Sequence, residues 1–203
     1  MRFPALMMLF AICSYADTIT MTHTGLGSGS IGTTTFTDAA FTITDIGDTG
    51  NRQSFTGGFF IDDTSASINI AGLGTFNFTT GTRTFVNNGS EEVGFSRATT
   101  TGFDLFDGPA NGAFAAWDML SSIGPISGTA LLQQWTGASF PDVDTNGGVL
   151  VFDTMTSDTT FTATVNNAVP EPSSTVPLAI GCLGIVAVAR RRWTRGQRLR
   201  DTA

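Results

Sequence analysis

The chain has 203 residues, of which 24 are glycine, 17 are phenylalanine and 33 are threonine, while lysine is absent. This length predicts one domain with short additional segments, and this composition favours strands joined by tight turns. Between Asp17 and Asn167 there are fifteen acidic residues and three arginines, a net charge of −12, which argues against nucleic acid as a partner because the phosphates would be repelled.

Residues 1–16 predict a signal peptide. Met1-Arg2 supplies a positive start, residues 3–13 form an apolar stretch, and Ser14-Tyr15-Ala16 places small residues just before Asp17. Signal peptidase reads small residues at these positions, so we expect it to cleave after residue 16 during export. The alternative is an N-terminal core strand, which would not need the charged start or the small-residue end.

The body of the chain, residues 17–167, contains no cysteine, since Cys13 and Cys182 lie outside it. This excludes a disulfide framework, a thiolate nucleophile and a cysteine-based metal site from the body. A stretch of about 150 residues is long enough to bury a hydrophobic core. We therefore expect core packing and backbone pairing to hold the body together.

Alternating apolar and polar residues predict β-strands throughout the body. In Thr159–Asn166, the residues Phe161, Ala163 and Val165 alternate with polar residues, which is the two-residue period of a half-buried strand. The run Val149–Phe152 is typical of a strand covered on both faces. Similar alternation occurs at residues 39–44, 68–70 and 75–79. The sequence predicts an all-β ectodomain, built as an antiparallel β-sandwich or a barrel.

His23 is the only histidine in the chain. A Ser-His-Asp arrangement would have to use it. However, it lies next to the presumed mature N-terminus, and the sequence lacks a nucleophile elbow. We therefore expect His23 to be a solvent-facing residue of a strand rather than a catalytic base.

The segment Gly27–Gly32 matches the G-x-G-x-x-G pattern of dinucleotide-binding loops. That motif requires a helix N-terminus to hold the pyrophosphate. The residues that follow, Thr33–Phe36, form a β-branched run that does not predict a helix. We expect the segment to be a flexible connection between strands.

Two pairs of adjacent acids, Asp62-Asp63 and Glu91-Glu92, are candidates for acid and base roles. A glycosidase needs two carboxyl groups that face each other across a cleft. Adjacent acids are more often solvated turns, and we expect these pairs to be turns.

Residues Ala113–Ser121 are the nearest candidate for a helix in the body, with a bulged strand as the alternative. Trp117 lies in this segment, and Trp135 follows it. Aromatic side chains exposed on a β-sheet stack sugars in many carbohydrate-binding modules, although most large aromatics belong to the core. Trp117 and Trp135 are therefore candidates for glycan stacking.

The segment Asp142–Gly147 resembles a calcium loop. Oxygen-bearing side chains occur at alternate positions in Asp142, Asp144 and Asn146, glycine is the sixth residue, and Asp153 falls at position twelve. A strand-like run follows instead of a helix, and Asp, Asn and Gly are also the usual residues of hairpin turns. The alternatives are a calcium site and an ordinary hairpin.

The C-terminal region predicts a short transmembrane helix. Residues 175–189 are fifteen uncharged, mostly apolar residues, which as a helix span roughly 22 Å of a hydrocarbon core about 30 Å thick. Arg190, Arg191 and Arg192 follow at once and predict that residues 190–203 are a basic cytoplasmic tail, with the β body outside. We expect transient or permanent insertion into the inner membrane.

Just before this helix stand Val169-Pro170-Glu171-Pro172, in a linker of residues 168–174. This motif, the short apolar segment and the arginine cluster together resemble the PEP-CTERM sorting tag of exported bacterial proteins. The resemblance covers about 35 residues of the chain. It implies recognition by an exosortase, a membrane protease or transpeptidase that cleaves near the Pro-Glu-Pro motif, in bacteria that make exopolysaccharide.

These features predict an exported, non-enzymatic protein of the cell surface or extracellular matrix, structural in role and requiring no cofactor, delivered by its C-terminal tag. The first alternative is a glycan-binding or adhesive module, with calcium as a stabilising ion and exopolysaccharide as the partner. The second is a carboxylate-based glycosidase. Exposed tryptophans would favour the first, and a cleft with paired carboxyl groups would favour the second.

Overall fold

The computed structural model describes residues 17–98, 102–136 and 139–166, which form an all-β structure, as predicted. The other regular elements of this part of the chain are two short 3-10 turns, Thr49–Asn51 and Gly112–Phe114. The strands are β1 Thr18–Ile31, β2 Thr34–Asp48, β3 Gln53–Phe55, β4 Gly58–Ile70, β5 Gly74–Asn77, β6 Thr82–Asn87, β7 Glu92–Arg97, β8 Asp104–Ala110, β9 Ile123–Leu132, β10 Asp144–Thr145, β11 Gly148–Met155 and β12 Asp158–Asn166.

Eight strands close into an antiparallel barrel in the order β1-β12-β9-β8-β7-β6-β4-β2, and β2 pairs back to β1. Of the two predicted architectures, the barrel is the one observed. The first and last strands are neighbours, since β1 pairs with β12 from Thr18 opposite Asn166 to Thr24 opposite Thr160. Closure gives each strand of the ring two hydrogen-bonding partners, which removes exposed edges.

The four remaining strands extend this barrel. Strands β3 and β5 pair with β4, while β11 pairs with the second half of β1 and β10 pairs with β11. The prediction that Gly27–Gly32 is a flexible connection is therefore wrong, because residues 27–31 belong to β1. A bulge lies between Ser28 and Gly29. A Cβ at Gly29 would lie 2.0 Å from the carbonyl oxygen of Val151, so glycine allows β11 to approach.

Inward-facing side chains form two hydrophobic clusters. In β12, Phe161 and Ala163 are buried, as their alternation predicted. In β11, Leu150 and Phe152 are buried, whereas the other face of the strand is only half-buried. The β11 cluster consists of Ile31, Phe36, Phe41, Ile43, Ile68, Ile70, Phe95, Leu105, Phe106, Trp135, Val143, Leu150 and Phe152. The β12 cluster consists of Ile19, Met21, Ile61, Val86, Val93, Phe114, Trp117, Met119, Phe161 and Ala163.

A buried polar layer adjoins both clusters. It is made of the buried residues His23, Asp45, Thr82 and Thr84 and the half-buried Asp63. The hydroxyl of Thr84 donates to Asp45 Oδ2 at 2.5 Å, and the hydroxyl of Thr82 donates to Asp63 Oδ2 at 2.7 Å. The Nε2 atom of His23 lies 3.4 Å from Thr84 Oγ1. Four neighbouring strands, β1, β2, β4 and β6, thus contribute to one network in which each acid accepts from one threonine hydroxyl, while its Oδ1 has no hydrogen-bond partner among the described residues.

The predicted solvent-facing position of His23 is wrong, because the residue is only 1% exposed. Its ring lies 5.0 Å from that of Phe106 in the β11 cluster and 4.7 Å from that of Phe161 in the β12 cluster. Burial lowers the pKa of His23 to about 3, so the imidazole is neutral at physiological pH. His23 is therefore a core residue.

Burial also raises the pKa values of both acids in the polar layer. The pKa of Asp45 is well above its usual value because of burial and, secondly, the charge of Asp63. Burial raises the pKa of Asp63 to about 7, against the opposing hydrogen bond from Thr82. The predicted solvated turn at Asp62-Asp63 is wrong, because both residues lie within β4.

Residues Ala113–Ser121 form neither the predicted helix nor a bulged strand. The 3-10 turn Gly112–Phe114 begins the segment, with the side chain of Asn111 accepting from the backbone N–H of Ala113. Phe114 is then buried between β7 and β12 residues of the β12 cluster. The segment is an irregular loop fixed by apolar anchors.

The predicted signal peptide, sorting motif, C-terminal helix and basic tail lie outside the described residues. Within residues 17–98, 102–136 and 139–166, no helix is long and apolar enough to cross a membrane.

Candidate ligand-binding groove

A half-open groove of about 560 Å³ runs across the outer face of β4, β6, β7 and β8. Its position follows from alternation, because Arg83, Phe85 and Asn87 of β6 face outward between the buried residues Thr84 and Val86. Three aromatic rings and three carboxyl groups line this outer groove: Phe55, Phe60, Phe85, Glu92, Asp104 and Asp107.

Strand register places these side chains in rows. Phe60 pairs with Phe85, Phe85 with Gly94, and Gly94 with Asp107, so one row crosses all four strands. Gly94 has no side chain, and a Cβ there would lie 2.3 Å from the ring of Phe85. The absent side chain leaves room for the Phe85 ring between Phe60 and Asp107.

The adjacent row supplies the groove's positive charge and one acid. It runs from Asp62 through Arg83 and Ser96 to Asp104. The Nε atom of Arg83 lies 2.8 Å from Asp62 Oδ1, and its guanidinium lies 4.2 Å from the centroid of the Phe60 ring. Arg83 thus forms an ion pair with Asp62, its neighbour in the row.

The carboxyl groups on the other side of the groove are close enough to affect one another. Asp107 Oδ2 accepts from Gln133 Nε2 at 2.6 Å. Burial, then the charges of Asp104 and Glu92, raise the pKa of Asp107 to about 7. Burial and Glu92 also raise the pKa of Asp104. This side of the groove therefore favours partners that carry positive charge or donate hydrogen bonds.

The two tryptophans predicted to stack glycans lie in the core. Trp117 is 5% exposed and donates from Nε1 to the carbonyl of Ser121. Trp135 is 4% exposed, and its ring lies 5.0 Å from that of Phe152. Neither side chain forms a surface platform, so the prediction that they stack sugars is wrong for this structure.

The predicted calcium ligands lie on a hairpin and the strand that follows. Asp144 begins β10, and Asp153 lies farther along β11. Asn146 Oδ1 accepts from the backbone N–H of Asn77, and Thr80 Oγ1 donates to the carbonyl of Asp142. Among the described residues, no group of three or more His, Cys, Asp or Glu is arranged to hold a metal ion. Calcium binding here stays a prediction.

The two members of each predicted acid pair lie in different environments. Asp62 borders the outer groove and Asp63 belongs to the buried polar layer. Glu92 lines the groove, accepting from Ser90 Oγ at 2.6 Å. Glu91 is exposed in a turn with φ of 58°, as predicted. Neither pair acts as a pair of facing carboxyl groups.

Sequence reasoning missed Phe55, Phe60, Phe85, Asp104 and Asp107. A partial signal was present, since Arg83, Phe85 and Asn87 alternate with Thr84 and Val86 and thus share one face. The partners of that face on β4, β7 and β8 depend on register, which alternation within one strand does not determine.

No protein-family model, curated protein or solved structure matches this chain.

Proposed function

We propose that this protein is exported to the cell envelope or extracellular matrix through its C-terminal tag and binds a glycan in the outer groove. The export part rests on residues 1–16 and on Val169–Pro172 with the segments that follow. The binding part rests on the lining of the groove, and it adds a ligand to the structural role that the sequence predicts.

The juxtaposition of aromatic rings and hydrogen-bonding acids is the observation that carries glycan binding. A sugar has apolar C–H faces that pack on rings such as Phe55 and Phe85. Its hydroxyl groups donate to carboxylates such as Glu92 and Asp104. The volume of about 560 Å³ falls within the usual range of small-ligand sites.

Binding is tested with the full chain, purified in mild detergent, against a panel of neutral, anionic and cationic oligosaccharides. Phe85→Ala is expected to weaken binding about two- to twelvefold, since an aromatic contact contributes about 0.5–1.5 kcal/mol. The matched control is Leu26→Ala, because Leu26 is 44% exposed, lies on β1 and is not among the residues that line the groove. If no oligosaccharide binds, the purely structural role replaces this proposal.

Sorting is tested by replacing Pro170, Glu171 and Pro172 with alanine in a host that has an exosortase. We expect the altered chain to stay uncut in the inner membrane while the native chain reaches the envelope or matrix. Asp153→Asn is the control because Asp153 is exposed and remote in sequence from the tag. Equal processing of the native and altered chains would contradict the proposed role of the motif.

Glycoside hydrolysis is a second candidate, favoured by the pKa of about 7 at Asp107 beside Asp104 and Glu92. A carboxyl group with such a pKa suits a general acid, and an ionised neighbour suits a base or nucleophile. Mass spectrometry of bound oligosaccharides after long incubation distinguishes the two functions. Shortened products that disappear in Asp107→Asn would indicate hydrolysis, and intact oligosaccharides would indicate binding alone.

A further inference from the structure

We propose that the outer groove selects glycans that carry free, protonated amino groups, so that its ligand is a cationic amino-sugar polymer. This inference rests on the proposed glycan binding and specifies the charge of the ligand.

The first step is the distribution of charge in the groove. Three acids, Glu92, Asp104 and Asp107, line it together with one cation, Arg83. Arg83 is already paired with Asp62 at 2.8 Å. The charge of Arg83 also acts on Asp104, whose pKa it lowers against the larger effect of burial. One cation, already paired with Asp62, therefore stands against three acids in the groove.

The second step is the position of these acids relative to the rings. Glu92 and Asp107 lie on the neighbouring strands β7 and β8, and Asp104 lies one row farther along β8. Rows on one face of a strand are two residues apart, or about 7 Å. The acids thus extend along one side, while Phe60 and Phe85 lie on the other. A polymer with a repeated positive group fits a row of charges better than a single ion does.

The third step is the repulsion at Asp107. Its Oδ2 accepts from Gln133, while its Oδ1 is covered by protein and has no hydrogen-bond partner among the described residues. The charges of Asp104 and Glu92 act on this half-buried carboxyl group and disfavour its ionised form. A protonated amine in the groove supplies a positive charge that relieves the repulsion between Asp107 and its acidic neighbours.

An amino sugar joins both requirements in one ring. The C–H face of the sugar ring packs on a phenylalanine, and the ammonium group at the edge of the sugar ring can reach an acid. A neutral N-acetylated sugar offers the same face but leaves the acids without a counter-charge. We therefore expect selectivity for the free amine over the acetylated form.

The test compares β-1,4-linked glucosamine oligomers with N-acetylglucosamine oligomers of the same length, because the two differ only in the acetyl group. Calorimetry on the full chain at pH 6 is expected to show at least tenfold tighter binding of the free-amine oligomer. Asp104→Asn and Asp107→Asn should each reduce that preference severalfold, while Asp158→Asn, which changes net charge equally at an exposed position outside the groove, should leave it unchanged.

The outcomes distinguish charge selection from the proposed glycan binding on which it rests. If acetylated oligomers bind as tightly as free-amine oligomers and Phe85→Ala weakens both, glycan binding stands and charge selection is wrong. If neither oligomer nor any other glycan binds, both proposals are wrong. If a lysine-rich peptide or calcium binds more tightly than the amino sugar and depends equally on Asp104, the groove is a cation site that does not select glycans.

A second readout follows from proton release. Binding of an ammonium group favours the ionised form of Asp107, whose pKa lies near 7. The apparent binding enthalpy should therefore vary with the ionisation enthalpy of the buffer, and this variation should shrink in Asp107→Asn. An unchanged buffer dependence in that variant would contradict the contact with Asp107.

Discussion

The buried polar layer and the outer groove are two acidic regions that share strands β4 and β6 and lie on opposite faces of them. In β4, Asp63 points into the barrel and the adjacent Asp62 points out. Burial raises carboxyl pKa values in both regions. Asp45 and Asp63 each accept from a threonine hydroxyl and Asp107 accepts from Gln133, and each of the three keeps one covered carboxyl oxygen without a partner among the described residues. Asp107 differs in that it lines the outer groove. A raised pKa therefore does not identify a functional site by itself; access to a ligand separates the two regions.

The largest effect on stability should come from variants that remove either the histidine or the acids of the buried polar layer, because the two kinds of group change stability with pH in opposite directions. The acids have raised pKa values in the folded protein, so their contribution to stability is present below about pH 4 and is lost as pH rises through about 7. The pKa of His23 is lowered to about 3, so its contribution is present above about pH 6.5 and is lost as pH falls toward 3.

We therefore expect two variants to respond to pH in opposite directions. Relative to the native protein, His23→Leu should gain about 1.4 kcal/mol per pH unit as pH falls below about 6.5. The double variant Asp45→Asn/Asp63→Asn should gain stability relative to native as pH rises from about 4 to 7, with a similar slope for each acid. Urea unfolding at several pH values measures both. Parallel curves for all three proteins would contradict the assigned protonation states.

Thr84→Val should give the next largest effect. It removes the hydroxyl that donates to Asp45 and contacts His23, and leaving such buried groups unpaired costs about 1–3 kcal/mol each. We expect a loss of about 2–4 kcal/mol in the free energy of unfolding, measured in urea. Thr35→Val is the control because Thr35 is exposed on β2. Oligosaccharide affinity should not change, since Thr84 faces the interior; a large loss of affinity would mean that the two regions are coupled.

The smallest effect on stability should come from Arg83→Gln, which removes the cation that lines the outer groove. Its ion pair with Asp62 is partly exposed, and such pairs contribute about 0–1 kcal/mol. Removing the cation from the groove should strengthen binding of the free-amine oligomer by about threefold through reduced repulsion. Calorimetry and urea unfolding on the same preparation measure both changes. Weaker binding of that oligomer would indicate that Arg83 contacts the glycan itself.

The sequence was informative about features that depend on the alternation of residues within a single strand. Alternation located β12 and its buried residues Phe161 and Ala163, and it was also present at His23, which shares its parity with Ile19 and Met21. The position of His23 was mispredicted because the polarity of its side chain was given more weight than its place in the alternation of buried and exposed residues. Asp45 shares its parity with Ile43 in the same way.

The outer groove was beyond prediction for a different reason. It depends on pairing Phe60 with Phe85 and Gly94 with Asp107, residues that are separated in sequence and brought together by register. Register is decided by burial across the whole sheet and by turns, so a single sequence leaves several pairings open. The acids of the groove therefore looked like ordinary solvated carboxylates.

The pairing of the first strand with the last makes the barrel a candidate for circular permutation. Thr18 lies opposite Asn166, so a short glycine-serine linker could join residue 166 to residue 17. New ends could be opened at Gly72, in the exposed turn between β4 and β5, where an added Cβ would meet nothing within 4 Å. Such ends lie away from strand pairing, which is where permutation is best tolerated. The ring of strands, rather than the order in which they are synthesised, would then specify the fold.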